Sequence, residues 1–451
     1  MENSFLKWLE NPLLIGFITI IIATTIGWLW KFACKRTKQL VEKNTKAKRR
    51  RYYDIIDSED FVKWRDMVLK HLYGEKYFTH EVGYDFPVYA LECAKPLPYP
   101  FNEFYNKSDI PFHLYKKNDD ELIESSLDNQ VCVYPDKRTI RKFRKLLIKI
   151  RYPSLLGFTL DRYDMSDGKI THVYPKLGKY SQTVDSSLIL EYEMYEAYKK
   201  NKNIAALGKN IWELFPLRAR IHKNHTIEDV LFSGLNRYSL LSVQGFIIFF
   251  DPEVGEGEYV TLIAQRSENV TSKIGYYQFL PAGGFELFER EGNCKIDIIK
   301  DNYSLGKGFF REYLEEVFNK VEFGMVPKDG QQGLDMIMKN RDTKTITNLI
   351  KKGKAHFELL GSAVDLVNLR HDLSFILRID DDEFYNNIFE LNEEFISAKI
   401  KQRMPLRKLD EKLEGEYKIC QASVGLYNMV KKNHLYRELK DNNFKKLPNN
   451  E

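Results

Sequence analysis

The residues of this chain best suited by type and spacing to do chemistry lie in GKGFFREYLEEVFNKV. Glu312, Glu315 and Glu316 stand at i, i+3 and i+4. On a helix they project from one face, with Cβ atoms about 5–6 Å apart. Three like charges so close repel one another. Exposed to water that costs little, but partly buried it requires a neutralising cation. Hard carboxylate oxygens suit Mg2+ or Mn2+, which in turn hold phosphates. A carboxylate left off the metal can take a proton from water. An acidic, solvated helix face presents the same pattern, so the surrounding elements decide between the readings.

Those elements begin near Arg237. LLSVQGFIIFF is an almost continuous apolar run of strand type, EYVTLIAQRS is a second, and GYYQFL leads into Pro281. HFELLGSAVDLVN and DLSFILRI give further strands, and EYKICQASVGLYNMVKKN reads as a closing helix. Strands on both sides of a helix, closed by another helix, indicate an α/β fold with a mixed sheet between helices. Between the second strand and the acidic helix lies FLPAGGFELFE.

The arrangement resembles the Nudix hydrolase family. That family's signature is Gly, five residues, Glu, seven residues, then Arg-Glu-apolar-any-Glu-Glu-any-Gly-apolar. Gly283, five residues and Glu289 match the first half, and Arg311, Glu312, Glu315 and Glu316 match the second. PAGG, Pro281 to Gly284, resembles the loop of members acting on ADP-ribose-like dinucleotides, and Glu286 falls where those members also carry Glu. The resemblance implies an α/β/α fold over roughly 230–440 and a Mg2+ or Mn2+ cofactor. It implies Glu312 and Glu316, with Glu286 and the Ala282 carbonyl, as metal ligands. Glu315 is implied as a ligand or base, and Arg311 as the group that orients the carboxylates. Gly283, Gly284 and Arg266 are implied as contacts to the nucleotide. The chain departs from the signature in two places. Twenty-one residues separate Glu289 from Arg311 where the family has seven, and Phe318 replaces the family's Gly. The insertion is expected to overhang the site, and the end of the helix must differ, because phenylalanine lacks glycine's conformational freedom.

The N-terminus points to a membrane. Pro12 to Trp30 carries no charge, and its nineteen residues at about 1.5 Å each approach the hydrocarbon thickness of a bilayer. Trp8, Trp28 and Trp30 flank the run, and ten Lys or Arg residues follow between Lys31 and Arg51. The positive-inside rule then puts residues 1–11 outside the inner membrane, a single span at 12–30, a basic juxtamembrane segment at 31–51, and the rest in the cytoplasm. Residues 52–230 read as an accessory layer or a separate sensor, 231–440 as the Nudix-like domain, and 441–451 as a tail. In the accessory region TIRKFRKLLIKIRY reads as a basic helix, and GFTLDRYDMSDGKITHVYP as a hairpin turning at Asp167-Gly168.

Composition excludes other classes. The 451 residues are 43% hydrophobic and 29% charged with a net charge of +5, which is globular and gives no electrostatic case for direct DNA or RNA binding. The five cysteines form no CxxC pair and read as free thiols in a reducing compartment. His222 and His225 have no cysteine or histidine pair to complete a zinc site. SLGKGFF lacks the full phosphate-loop pattern, and no GxSxG elbow is present.

A single span joined to a cytoplasmic Nudix-like domain is similar to the transmembrane Nudix effectors of CBASS antiphage systems, with their SMODS-associated Nudix domains. That resemblance implies a cyclic oligonucleotide or dinucleotide ligand, a functional link to a CD-NTase, homo-oligomers, and cell death by disruption of the lipid bilayer. An anchored, Mg-dependent hydrolase and a scaffold with an inactive Nudix fold are the alternatives.

Overall fold

The computed structural model describes residues 12–111, 132–147, 156–201, 211–267, 270, 273–287, 296–319, 336–387, 395, 403–415 and 418–447. Its strands, in chain order, are β1 (Thr79–Glu81), β2 (Tyr84–Phe86), β3 (Val88–Pro98), β4 (Leu156–Ser166), β5 (Lys169–Lys179), β6 (Leu241–Asp251), β7 (Glu258–Gln265), β8 (Tyr277–Phe279), β9 (Ala282–Gly284), β10 (Ala355–Asp365), β11 (Arg370–Ile379) and β12 (Arg403–Pro405). The helices used below are α1 (Pro12–Ile56), α2 (Glu59–Tyr73), α3 (Lys137–Leu146), α4 (Ile189–Lys200), α5 (Ile296–Asn302), α6 (Leu305–Glu312), α7 (Arg341–Lys351), α8 (Gln421–Lys432) and α9 (His434–Asp441).

β6 is buried on both faces, which is why its sequence runs apolar without alternation. It lies parallel to β11 and antiparallel to β7. The sheet runs β12-β7-β6-β11-β10-β3-β5-β4, with β8 added on β7 and β9 on β6. This mixed sheet carries helices, as the α/β pattern predicts. The β4–β5 hairpin turns at Asp167 and Gly168, both with positive φ (50° and 74°), as the Asp-Gly pair predicts.

The sheet also crosses the boundary read at 230/231. β3 pairs with β10 over most of its length, and β5 and β4 extend the sheet beyond it. The far edge curls back: Leu160 N–H donates to Ser239 O at 2.8 Å, Phe158 N–H to Phe285 O at 3.0 Å and Leu287 N–H to Leu156 O at 2.8 Å. The accessory region is therefore woven into the sheet that holds the acidic helix.

α1 is one continuous helix of 45 residues, roughly 68 Å long. Among the described residues no helix is long and apolar enough to cross a membrane. The side chains of 12–23 lie outside the described residues, so most of the span read at 12–30 does too. Trp28, Trp30 and Phe32 are exposed. The basic segment is helical, and Lys31, Lys35, Arg36, Lys43, Lys46, Lys48, Arg50 and Arg51 face solvent. The C-terminal end of α1 is anchored. Tyr52 and Ile56 are buried, and the Tyr52 ring meets Tyr195 at 4.9 Å. Arg49 donates to the carbonyls of Leu146 (3.0 Å) and Leu147 (2.7 Å), capping the end of α3. On α3 only Phe143 is buried, so its other basic residues form a solvated face.

Of the two histidines weighed against zinc, His222 is half-buried beside Tyr73 and His225 is exposed. His222 Nε2 lies 3.3 Å from Tyr73 Oη, and among the described residues no cluster of ligating side chains surrounds it. Burial, helped by Arg218 and Arg237, pushes its pKa down to about 3. Burial also pushes His371 well below the usual histidine range. Both are neutral in the folded chain, whereas the unfolded chain takes up protons below about pH 6.5. Stability conferred by the neutral forms is therefore complete above pH 6.5 and is lost as pH falls towards 3. Each group can contribute up to about 1.4 kcal/mol per pH unit. His222→Gln is expected to flatten this slope in unfolding midpoints measured between pH 7 and 4, and an unchanged slope refutes the assignment.

Candidate functional site

The acidic helix reaches the loop strand through close backbone packing. α6 crosses β6 at Gly245, where a Cβ would strike the Phe309 ring. Phe309, Phe310 and Leu305 are fully buried beneath it, each stabilising the contact by about 1.5–3 kcal/mol. Beyond Glu312 the helix widens into a π-turn, Tyr313–Val317. π-turns add a residue to the repeat and mark functional sites in many helices. Glu315 and Glu316 both lie in this turn, Glu316 buried and Glu315 half-buried. Glu312 and Glu316 are 5% and 2% exposed, so the face is not a solvated one.

Both halves of the motif meet here. Arg311 donates from Nε to Glu312 Oε1 at 3.0 Å, and its Nη2 also contacts that oxygen. From the other side its Nη1 reaches Glu286 O at 3.3 Å, and its Nη2 reaches Gly284 O. Glu315 Oε1 lies 4.0 Å from Arg311 Nε. The Ala282 amide donates to Glu316 Oε2 at 2.6 Å. Gly283 has no room for a Cβ, because the Glu312 carboxylate occupies that space. Burial by itself would lower the Arg311 pKa, but the carboxylates of Glu312, Glu315 and Glu286 outweigh it and hold the guanidinium charged.

Arg266 stands apart, at the end of β7, where it donates to Gln278 Oε1. Gln278 is 4% exposed, and nothing in its spacing marks it in the sequence. Glu289 lies outside the described residues. Of the stretch between Glu289 and Arg311, residues 290–295 lie outside the described residues. Within its described residues, 296–310, α5 and Tyr303 pack inward: Ile299 and Tyr303 are fully buried, and the Tyr303 ring meets Phe158 at 4.8 Å and Phe285 at 5.8 Å. At the helix end Phe318 packs on Tyr313 at 5.1 Å, and the left-handed turn passes to Asn319 (φ 48°). Asparagine tolerates that conformation where phenylalanine does not.

Acids beyond the helix differ in their surroundings. Asp380 takes Arg378 at 3.0 Å, and Asp381 and Asp382 pair with Lys354 and Lys446 at the surface. Asp372 instead lies within β11, beside Ser242. Burial raises its pKa against the pull of Arg370, Ser242 and Arg266.

The donors are the hard oxygens Mg2+ prefers. However, protein donors already hold the two buried carboxylates: Arg311 holds Glu312, and the Ala282 amide holds Glu316. Among the described residues no three ligating side chains converge on one point. Arg311 is the one cation shown against Glu312 and Glu315, and the Ala282 amide is uncharged, so the three carboxylates keep a net negative charge.

No known family's profile matches this sequence, and no curated protein matches it. Among solved structures the chain is similar to a NUDIX hydrolase from Alicyclobacillus acidocaldarius, with a TM-score of 0.26 and 13% identity over 47% of this chain and 98% of that one. A likeness of that size carries no argument, so the reading of the site rests on its own geometry.

Arg311→Met leaves the buried Glu312 carboxylate without its cation and is expected to destabilise the fold by about 3–5 kcal/mol in urea unfolding. Gly283→Ala displaces the Glu312 carboxylate and is expected to cost at least about 1 kcal/mol. A chelator is expected to leave the wild-type midpoint where it is. A large fall on adding chelator would show that a bound cation, not Arg311, balances the site.

Proposed function

We propose that this chain is a Nudix-type, nucleotide-responsive domain carried on a long N-terminal helix. One observation carries the reading. Arg311, Glu312 and Glu316, from the second motif half, close onto Ala282, Gly283 and Gly284 of the first, although 21 residues separate Glu289 from Arg311. A phosphate-bearing ligand, cyclic or linear, is the class that such a loop and helix serve in the family the sequence resembles.

The effector reading goes with the helix. The apolar run, the basic segment and the first core residues, Tyr52 and Ile56, lie on one continuous helix. A helix passes on displacement or rotation where a flexible linker would absorb it. On this reading the protein is anchored in the inner membrane and recognises a cyclic oligonucleotide made by a CD-NTase. It then clusters, and the clustered spans perturb the bilayer in an antiphage response. The ligand must bind the clustered state more tightly than the dispersed one. The anchored Mg-dependent hydrolase remains the second reading, favoured by the all-oxygen donor set.

The test incubates the full chain in detergent with Mg2+ and a panel of cyclic oligonucleotides and dinucleotide diphosphates, then denatures it and identifies what is released. An intact bound nucleotide is expected, with Glu315→Gln/Glu316→Gln still able to bind it. Products accumulating over many turnovers, and lost in that variant, would replace the effector reading with the hydrolase.

A further inference from the structure

The fold brings the basic end of α1 and the basic helix α3 to one place. Arg49 of α1 donates to the carbonyl of Leu146, 97 residues further along the chain, and to that of Leu147. Phe143, the buried residue of α3, packs on Tyr192 at 5.5 Å, and the Tyr192 ring lies 6.2 Å from that of Tyr52 on α1. The two helices are held together at this point.

Each helix brings charge of one sign. Six of the nine residues 43–51 are Lys or Arg, as are six of the ten in α3, and neither stretch contains an acid. Lys43, Lys46 and Arg50, spaced i, i+3 and i+7, share one side of α1, and Arg49 beside them is turned onto α3. On α3, Arg138, Arg141 and Lys145 have the same spacing and share the side opposite Phe143. All six are exposed.

Most neighbouring acids are engaged elsewhere. Asp136 caps α3, accepting from the amides of Arg138 and Thr139 at 2.9 and 3.0 Å, and Asp185 accepts from Arg144 at 2.8 Å. On α4, which packs against both helices, Glu191 pairs with Lys273, Glu193 lies near Arg218, and Glu196 pairs with Lys199. Asp54, exposed, and Glu42, whose side chain lies outside the described residues, flank the α1 stretch and leave it strongly positive.

The surface offers charge and little else. Among the described residues of 43–51 and 137–147 no large apolar side chain is exposed. A protein interface is built around apolar and aromatic anchors, and a helix on a bilayer surface buries an apolar face. Single-stranded nucleic acid is held by stacking on rings. The backbone of a duplex needs only cations. Position also disfavours lipid headgroups. If residues 12–30 cross a bilayer, Lys43 to Arg50 stand about 20–30 Å past Trp30 along α1, two or more screening lengths away.

We infer that the surface formed by α1 and α3 docks the phosphate backbone of a nucleic-acid duplex, without reading its bases. The inference is independent of the nucleotide-responsive reading of the carboxylate cluster. The net charge of +5 makes no case for such binding. The case arises because packing gathers positive charge from two distant segments.

The test titrates the full chain in detergent with a labelled DNA duplex of about 20 base pairs, in salt from about 50 to 200 mM. Two unrelated sequences are expected to bind equally, and log K to fall with log salt at a slope of about −4 or steeper, the mark of four or more phosphate contacts. Arg138→Gln/Arg141→Gln/Lys145→Gln and, separately, Lys43→Gln/Lys46→Gln/Arg50→Gln alter exposed residues only, so both variants should fold. Each should weaken binding at the lowest salt by at least about tenfold and reduce the slope by about 3. Lys344→Gln/Lys351→Gln/Lys352→Gln removes the same charge from exposed positions on and just after α7 and should leave binding as it is. Micelles carrying phosphatidylserine should not displace the duplex. Displacement by those micelles would give the surface to the bilayer. That result, no binding at the lowest salt, an affinity independent of salt, unchanged binding in either α1 or α3 variant, or an equal loss in the α7 variant would each overturn the inference.

Discussion

Arg311 is buried between the carboxylates of its own helix and the backbone of another element. Forward, its guanidinium neutralises Glu312 and lies near Glu315; behind, it holds the carbonyls of Gly284 and Glu286. A buried carboxylate without a partner costs several kcal/mol, so the acidic helix can lie against β9 only with this cation in place. The Ala282 amide completes the arrangement by donating to Glu316. β9 in turn pairs with β6, and β6 is the buried strand from which the sheet extends to both sides. The site and the centre of the fold are thus joined through one side chain.

The same sheet reaches the N-terminal helix. β3 extends it from β10, and α4 lies where Tyr52 of α1 packs against Tyr195. At the elbow between α1 and α2, burial raises the Asp57 pKa against the pull of Lys273, whose ammonium lies 3.1 Å from Glu191 of α4. Lys273 and Tyr276 follow β7, close to Arg266. Charged groups of the α1–α2 elbow, the α4 start and the strand ends are therefore within reach of one another. A ligand that shifts one of them acts on the others through charge as well as through packing.

Much of this architecture is legible in the sequence because it depends on local period and turn chemistry. The apolar run of β6, the Asp167-Gly168 hairpin and the basic, weakly buried α3 follow from neighbouring residues. The acidic spacing at Glu312, Glu315 and Glu316 is equally local, but its meaning is not. A solvated face and a buried cluster read alike until the packing of α6 on Gly245 and β9 decides between them. Gln278 had no signal, since an unpaired atom exists only once the rest of the chain has taken its partners.

By itself the sequence determined the elements, the two motif halves, and the charge asymmetry that follows Trp30. These are set by side chains a few residues apart. Only the tertiary structure decided that the accessory strands join the same sheet, that Tyr303 packs inward, and that Asn319 takes a left-handed backbone conformation after Phe318. It also decided that Arg311 lies between Glu312 and the carbonyls of Gly284 and Glu286. Each of these depends on pairing between residues far apart in the chain, and no local period encodes which distant strand or side chain will fill a given place.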